Sequence, residues 1–184
     1  MRVPRIVGRK EIVLSPWVTV LEKEVCFDER KPADVYHSVA QASYVAVFAM
    51  RPDGTIPIVR QYRPAVERQT LELPSGLVEK NETPEQSGRR ELAEECGFDA
   101  PQLELLGTLI SDTGRIENRL WCYFASKVSP MQSQFTPEEG LETILAPADQ
   151  VAGLMARGEF DHALHLAALM LAVVRHGPGL FSLK

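Results

Sequence analysis

The stretch that most limits what this chain can fold into is residues 76–98, GLVEKNETPEQSGRRELAEECGF, a loop that runs into a helix marked at both ends. Thr83 is a good N-cap, Pro84 suits the first helical position, and Gln86 stands three residues after the cap, where its side chain can complete a capping box. Gly97 supplies the stop, since helices often close on a left-handed residue that glycine adopts freely. The spacing predicts a helix over 84–96. On it Glu91, Glu94 and Glu95 fall at i, i+3 and i+4 in one acidic stripe, beside an apolar stripe of Leu92 and Cys96 that can face a core. Carboxylates so placed repel by about 0.2–0.5 kcal/mol per pair and face the negative end of the helix dipole. A hard cation held by oxygen ligands reverses the sign of each term, and Mg2+ or Mn2+ is what clustered carboxylates select. A solvated acidic face is the competing reading.

The glutamates do not stand alone. Gly76, Glu82, Arg90, Glu91, Glu94, Glu95 and Gly97 match, at every spacing, the signature of the Nudix hydrolases, with Leu92 and Phe98 in its two apolar slots. With each residue type used at about a tenth or less, seven fixed positions coincide by chance at on the order of one in ten million starting points. The chain therefore resembles the Nudix family, from about residue 40 to the C-terminus. The resemblance implies hydrolysis of a nucleoside diphosphate linked to a second moiety, with water attacking phosphorus and a nucleoside monophosphate leaving. It implies Glu91 and Glu95 as metal ligands with the Ser75 carbonyl, Glu94 as a ligand or one water away, Arg90 holding the glutamates in place, and Glu82 bracing the loop.

Two further segments narrow the branch. Arg60-Gln61-Tyr62-Arg63 and Glu72-Leu73-Pro74-Ser75-Gly76 are similar to segments of the ADP-ribose pyrophosphatases, with Ser75 where alanine is usual. By itself Arg60 with Arg63 reads as an edge strand kept soluble by charge. The resemblance instead implies that Arg60, Arg63 and Glu72 bind substrate. It extends, with Asp112-Thr113 standing where the branch has proline before Gly114, to Glu117 as a substrate contact. The general base is expected among Glu138, Glu139 and Glu142, and Glu142 is favoured because it immediately precedes a short apolar strand. ADP-ribose is the first expectation for substrate and other nucleoside diphosphate sugars or dinucleotides the second. A non-catalytic nucleotide-binding module would have lost a metal-binding acid, and none is lost.

The remaining sequence fits one catalytic domain with a small addition. At 184 residues the chain can bury a sizeable core without needing two large domains. A net charge of −5 excludes the basic footprint of a non-specific nucleic-acid binder. The apolar run at 163–174, broken by His165, is too short to span a membrane. Cys26, Cys96 and Cys122 lack metal-ligand spacing and read as reduced thiols, so a cytoplasmic protein is expected. Residues 10–27 read as two β segments broken at Pro16, and 28–34 as a polar linker. Strands follow at 44–50 and 55–61 around Asp53-Gly54, a hairpin signal, then at 68–73, 103–110 and 120–127. A polar loop spans 132–141, residues 143–145 form a short strand, and helices over 147–156 and 161–174 close the chain. His162 and His165 read as surface and packing residues. The order predicts an α/β fold, an α/β/α sandwich on a mixed sheet, with residues 40–184 as the catalytic domain. Residues 1–39 form an N-terminal β extension too small to stand alone, which the resemblance implies exchanges in a homodimer.

Overall fold

A computed structural model describes residues 3–133, 135–136 and 138–181. It divides into two compact units. One is the chain up to Ser43 together with Ile110–Arg119, and the other is Tyr44–Leu109 together with the chain from Leu120 onward.

The first unit is a sheet of β1 (Arg5–Ser15), β2 (Val18–Cys26) and β3 (Asp34–Ala40) in antiparallel order. Of residues 28–34, expected as a linker, 28–33 instead form the β2–β3 hairpin loop and Asp34 begins β3, with Lys31 N–H donating to Asp28 O at 2.9 Å and the Arg30 guanidinium held by the Asp28 carboxylate. Polar side chains and a proline mark a tight loop and a linker alike; only the partner strand tells them apart. Much of this sheet's apolar surface is open, including Val13, Leu14, Trp17, Val35 and Tyr36.

The second unit is built around β4 (Tyr44–Met50), whose YVAVFAM run is buried on both faces, as continuous apolar strands are in covered sheets. The strands that follow are β5 (Thr55–Arg63), β6 (Arg68–Glu72), β7 (Ser75–Leu77), β8 (Phe98–Asp99) and β9 (Glu104–Leu109). The two-residue β10 (Ile116–Glu117) returns to the first unit, where it pairs in parallel with β3, and the second unit resumes with β11 (Leu120–Ser126), β12 (Ser129–Pro130) and β13 (Leu141–Pro147). A mixed sheet runs β7-β4-β11-β9, with β4 parallel to β11, and an antiparallel sheet runs β13-β5-β6. Helix α1 (Pro84–Cys96) covers one face of β4, where Val45, Val47 and Ala49 meet Leu92 and Cys96. Helices α2 (Ala148–Ala156) and α3 (Ala163–His176) cover the other, where Ala46 and Phe48 meet Val151, Leu154, Ala168, Leu169 and Ala172. The alternation of β4 thus sends successive side chains into two cores, the α/β/α sandwich expected.

One expectation fails. Asp53-Gly54 does turn, with Gly54 at φ 81° and its N–H on Arg51 O at 3.0 Å, but β4 and β5 are not hairpin partners and enter different sheets. β4 pairs along its length with β11 and at Tyr44–Ala46 with β7, while β5 pairs instead with β13 and β6. Of the polar loop at 132–141, positions 134 and 137 lie outside the described residues.

Candidate active site

Helix α1 forms as its sequence dictates. Thr83 and Gln86 make both bonds of the capping box, and Gly97 closes the helix at φ 71°. A side chain at Gly97 would also meet the Phe135 ring at 2.6–3.0 Å, so glycine is demanded twice there. Leu92 and Cys96 anchor the helix in the core, and this sets the glutamates against β7. Glu91 and Glu95 are buried, with 9% and 7% of their surface exposed, whereas Glu94 faces solvent. The approach is close: a Cβ on Gly76 would lie no more than 2.5 Å from every atom of the Glu91 carboxylate. Next to it the Ser75 N–H donates to Glu95 Oε2 at 2.8 Å. The structure therefore brings together Ser75, Gly76, Glu91 and Glu95, with Glu94 beside them on the helix's exposed side.

Arg90 ties this group together. Its guanidinium donates to Glu82 Oε1 at 3.0 Å, Glu91 Oε1 at 2.6 Å, Glu94 Oε2 at 3.0 Å and Leu77 O at 3.1 Å. Glu82 in turn accepts from Ser87 Oγ at 2.7 Å, so it braces the loop. The bond to Glu82, then those to Glu91 and Glu94, raise the Arg90 pKa against the effect of burial.

The other candidates are paired. Arg63 binds Glu72 in a two-pronged bond at 2.8 and 2.7 Å, and Thr70 Oγ1 adds a third to that carboxylate at 2.7 Å. Burial alone would raise the Glu72 pKa, but these bonds overcome it and hold the carboxyl at about 2. Arg60 faces Glu142 across the β5–β13 ladder, with the ion pair at 2.7 Å. Glu138, on the loop before β13, lies near enough for its charge to raise the Glu91 pKa. Glu117 belongs to the other unit, where Lys23 and Ser38 bond its carboxylate.

His165 is fully buried as a packing residue, which its helical stripe with Ala168, Leu169 and Ala172 foretold. What sequence reasoning missed is its bond, Nδ1 accepting the Leu73 N–H at 3.1 Å. Ligand atoms of Glu72, His162 and His165 come within 4.8 Å of one another, spacing that a cation could bridge. Their hydrogen bonds point elsewhere. Glu72 already accepts three bonds from Arg63 and Thr70, both Nδ1 atoms accept backbone N–H groups, and the two rings stack at 3.8 Å. An Nδ1 that accepts leaves the proton on Nε2, which then offers a metal nothing.

The α1 carboxylates do fit a divalent metal. Burial, with smaller contributions from the neighbouring Glu91 and Glu72 charges, pushes the Glu95 pKa up to about 8, and burial likewise raises Glu91. Two acidic groups held where neither ionises readily form the donor set that a hard cation converts to its charged form. The metal-free protein should show this in its stability. Folded Glu95 keeps its proton up to about pH 8, while the unfolded group loses it near 4.5, so the fold binds more protons across that window. Stability without metal is expected to be fully present below about pH 4.5 as far as Glu95 is concerned and to fall as pH rises toward 8. Glu72 acts oppositely, its contribution being lost as pH falls from 4.5 toward about 2. Melting temperatures in EDTA from pH 5 to 8 check the upper limb, which Glu95→Gln should flatten. An equally steep fall in that variant would show that Glu95 is not its cause.

An α/β/α sandwich with a glycine-backed carboxylate cluster on its first helix defines the class of domain. The chain matches the NUDIX domain model over residues 40–169, and it belongs to that family, whose members are in general divalent-metal dependent. It is 33% identical over 90 residues to the ADP-ribose pyrophosphatase of Bacillus subtilis (strain 168), covering 49% of each chain. It is 30% identical over 129 residues to the ADP-ribose pyrophosphatase of Mycobacterium tuberculosis (strain ATCC 25618 / H37Rv), covering 68% of this chain and 62% of that one. A match of 34% over 89 residues to the methanol dehydrogenase activator of Bacillus methanolicus covers 48% of each. The chain thus spans about half to three-fifths of the length of these relatives. A crystal structure of an ADP compounds hydrolase superposes with a TM-score of 0.79 at 24% identity, covering 96% of this chain and 94% of that one, and shows the shared fold.

Proposed function

We propose that this protein is a pyrophosphohydrolase that splits ADP-ribose into AMP and ribose 5-phosphate. The observation that carries the reading is the complete carboxylate set of Glu91, Glu94 and Glu95 packed against Ser75-Gly76 and tied by Arg90. Glu91, Glu94, Glu95 and the Ser75 carbonyl would hold Mg2+, or Mn2+ in its place. When bound, the metal polarises a phosphoryl oxygen and makes a bound water a better nucleophile. Arg60 and Arg63 would grip the diphosphate with charge-assisted bonds, each exchanging a carboxylate partner for a phosphate oxygen. The two relatives named ADP-ribose pyrophosphatases support the choice of substrate. Other nucleoside diphosphate sugars are the second choice. Turnover of a panel of sugar nucleotides, dinucleotides and flavin nucleotides, with products identified, tests it. A kcat/KM for ADP-ribose more than about a hundredfold below that for another sugar nucleotide, roughly 2.7 kcal/mol in transition-state binding, would overturn the ADP-ribose reading.

The base that takes the proton from water would come from the start of β13. Glu142, favoured from the sequence, is paired with Arg60 and is released when Arg60 turns to a phosphate oxygen, so we assign the base to Glu142. Glu142→Gln is expected to lower kcat by about 10²–10⁴, and Glu138→Gln to leave kcat close to wild type. The reverse pattern would move the role to Glu138.

The protein is further proposed to be a homodimer. The first unit leaves Val13, Leu14, Trp17, Val35 and Tyr36 exposed, on both faces of its sheet and at the β1–β2 turn, and a second copy of this chain would cover apolar surface of that kind. Glu117 would meet substrate within that assembly. Light scattering should give about twice the 20.5 kDa chain mass, and a fully active monomer would rule the idea out. No helix among the described residues is long and apolar enough to cross a membrane. The three free cysteines and the acidic charge fit a cytoplasmic enzyme of small nucleotides without a nucleic-acid or membrane partner.

A further inference from the structure

Helix α3 is apolar along its buried stripe except at one residue. Ala168, Leu169 and Ala172 lie there with His165, and a leucine in place of that histidine would fill similar space without a polar atom. The imidazole is fully buried, its Nδ1 accepts the Leu73 N–H at 3.1 Å, and its Nε2 has no partner among the described residues. A buried polar atom without a partner costs stability, so this core position keeps a histidine despite that cost, for the one bond it makes to the main chain. His162, stacked on it at 3.8 Å, caps the helix through its Nδ1 and fixes the ring's setting.

The bond falls on the segment that leads into the carboxylate cluster. Between β6 and β7 the chain at 72–75 is held by four tethers. The Glu72 carboxylate binds Arg63 and Thr70, the Leu73 N–H binds His165, the Pro74 carbonyl accepts from Val47 N–H at 2.9 Å, and the Ser75 N–H binds Glu95. Pro74 has no N–H to offer. The tether to His165 is the one among these that reaches α3, on the face of the mixed sheet opposite α1. Without it the Leu73 N–H would be buried and unsatisfied, and the turn would lose the one tether that holds it from the α3 side.

We propose that His165 is a positioning residue that holds the Leu73–Ser75 turn from the opposite side of the sheet and so presents the Ser75 carbonyl to the metal site; this rests on the metal site proposed above. Mn2+ titration calorimetry on the full chain without nucleotide tests it, with melting temperatures recorded in EDTA. His165→Leu is expected to fold, to melt within a few degrees of wild type or above it, and to bind Mn2+ at least tenfold more weakly. His165→Asn, whose Oδ1 can take the place of Nδ1 as acceptor, should stay within about threefold of wild type. A wild-type Kd in His165→Leu would overturn the proposal. So would a loss above tenfold in His165→Asn, which keeps the test decisive if His165→Leu does not fold. Wild-type protein that binds no Mn2+ overturns both this proposal and the metal site beneath it. A Mn2+ equivalent retained in Glu95→Gln but lost in His165→Leu would place the cation on Glu72, His162 and His165 and overturn the positioning role alone.

Discussion

Glu95→Gln is expected to fold normally and to lose about 10³-fold or more in kcat, because a metal ligand supplies several kcal/mol of transition-state stabilisation that nothing nearby replaces. The two halves of the expectation have opposite causes. Without metal, Glu95 sits in a site that pushes its pKa to about 8 from an ordinary 4.5, a cost of roughly 3 kcal/mol near pH 7 that the neutral amide avoids. The amide oxygen introduced by Glu95→Gln can still accept the Ser75 N–H that now donates to Oε2. The metal-free variant should therefore melt no lower than metal-free wild type, and the metal-loaded pair should reverse in order, since only wild type gains from the cation. Calorimetry with and without Mg2+ beside single-turnover kinetics separates the two effects. Turnover near wild type in Glu95→Gln and Glu94→Gln alike would remove the assignment of this cluster as the metal site.

Gly76→Ala should be nearly as damaging to turnover, by a different route. The added methyl would stand no more than 2.5 Å from all three atoms of the Glu91 carboxylate, far inside contact distance. What yields is decided by stiffness. Gly76 is fixed in β7 by its pairing with Val45 of β4, whereas the carboxylate is the far end of a side chain with rotatable bonds. Glu91 is thus expected to swing away, breaking its 2.6 Å bond to Arg90 and leaving the cluster one ligand short. Because a side chain moves and the strand does not, the stability loss should be about 1–3 kcal/mol, while kcat falls by about 10²-fold or more. A variant that keeps full turnover would show that Glu91 is not needed where it lies. One that fails to fold would show that the strand, not the side chain, gives way.

The helix of the candidate site was legible in the sequence to the residue. Its start, stop and stripes depend on contacts within a few positions, namely Thr83 with Gln86, Gly97 with Ala93, and glutamates one turn apart. The strand-helix order likewise predicted the sandwich, because β4 carries apolar side chains on both faces and must be covered twice. Sequence reasoning failed where a residue's meaning depends on a distant partner. Asp53-Gly54 formed the turn its residues favour, yet the strands it joins were claimed by neighbours far along the chain. The 28–34 stretch carried the marks of a linker until β3 paired back onto β2.

The same division runs through the site. The sequence by itself determined the carboxylate stripe, the glycine behind it and the arginine beside it, since helical periodicity is local and brings residues three and four apart onto one face. Only the tertiary structure decided that Arg60 and Arg63 lie against Glu142 and Glu72, that the charge of Glu138 reaches Glu91, and that a histidine 92 positions away along the chain holds the Leu73 amide. Those contacts join separate elements, and no periodicity within one element can encode a distance set by how sheets and helices pack upon one another.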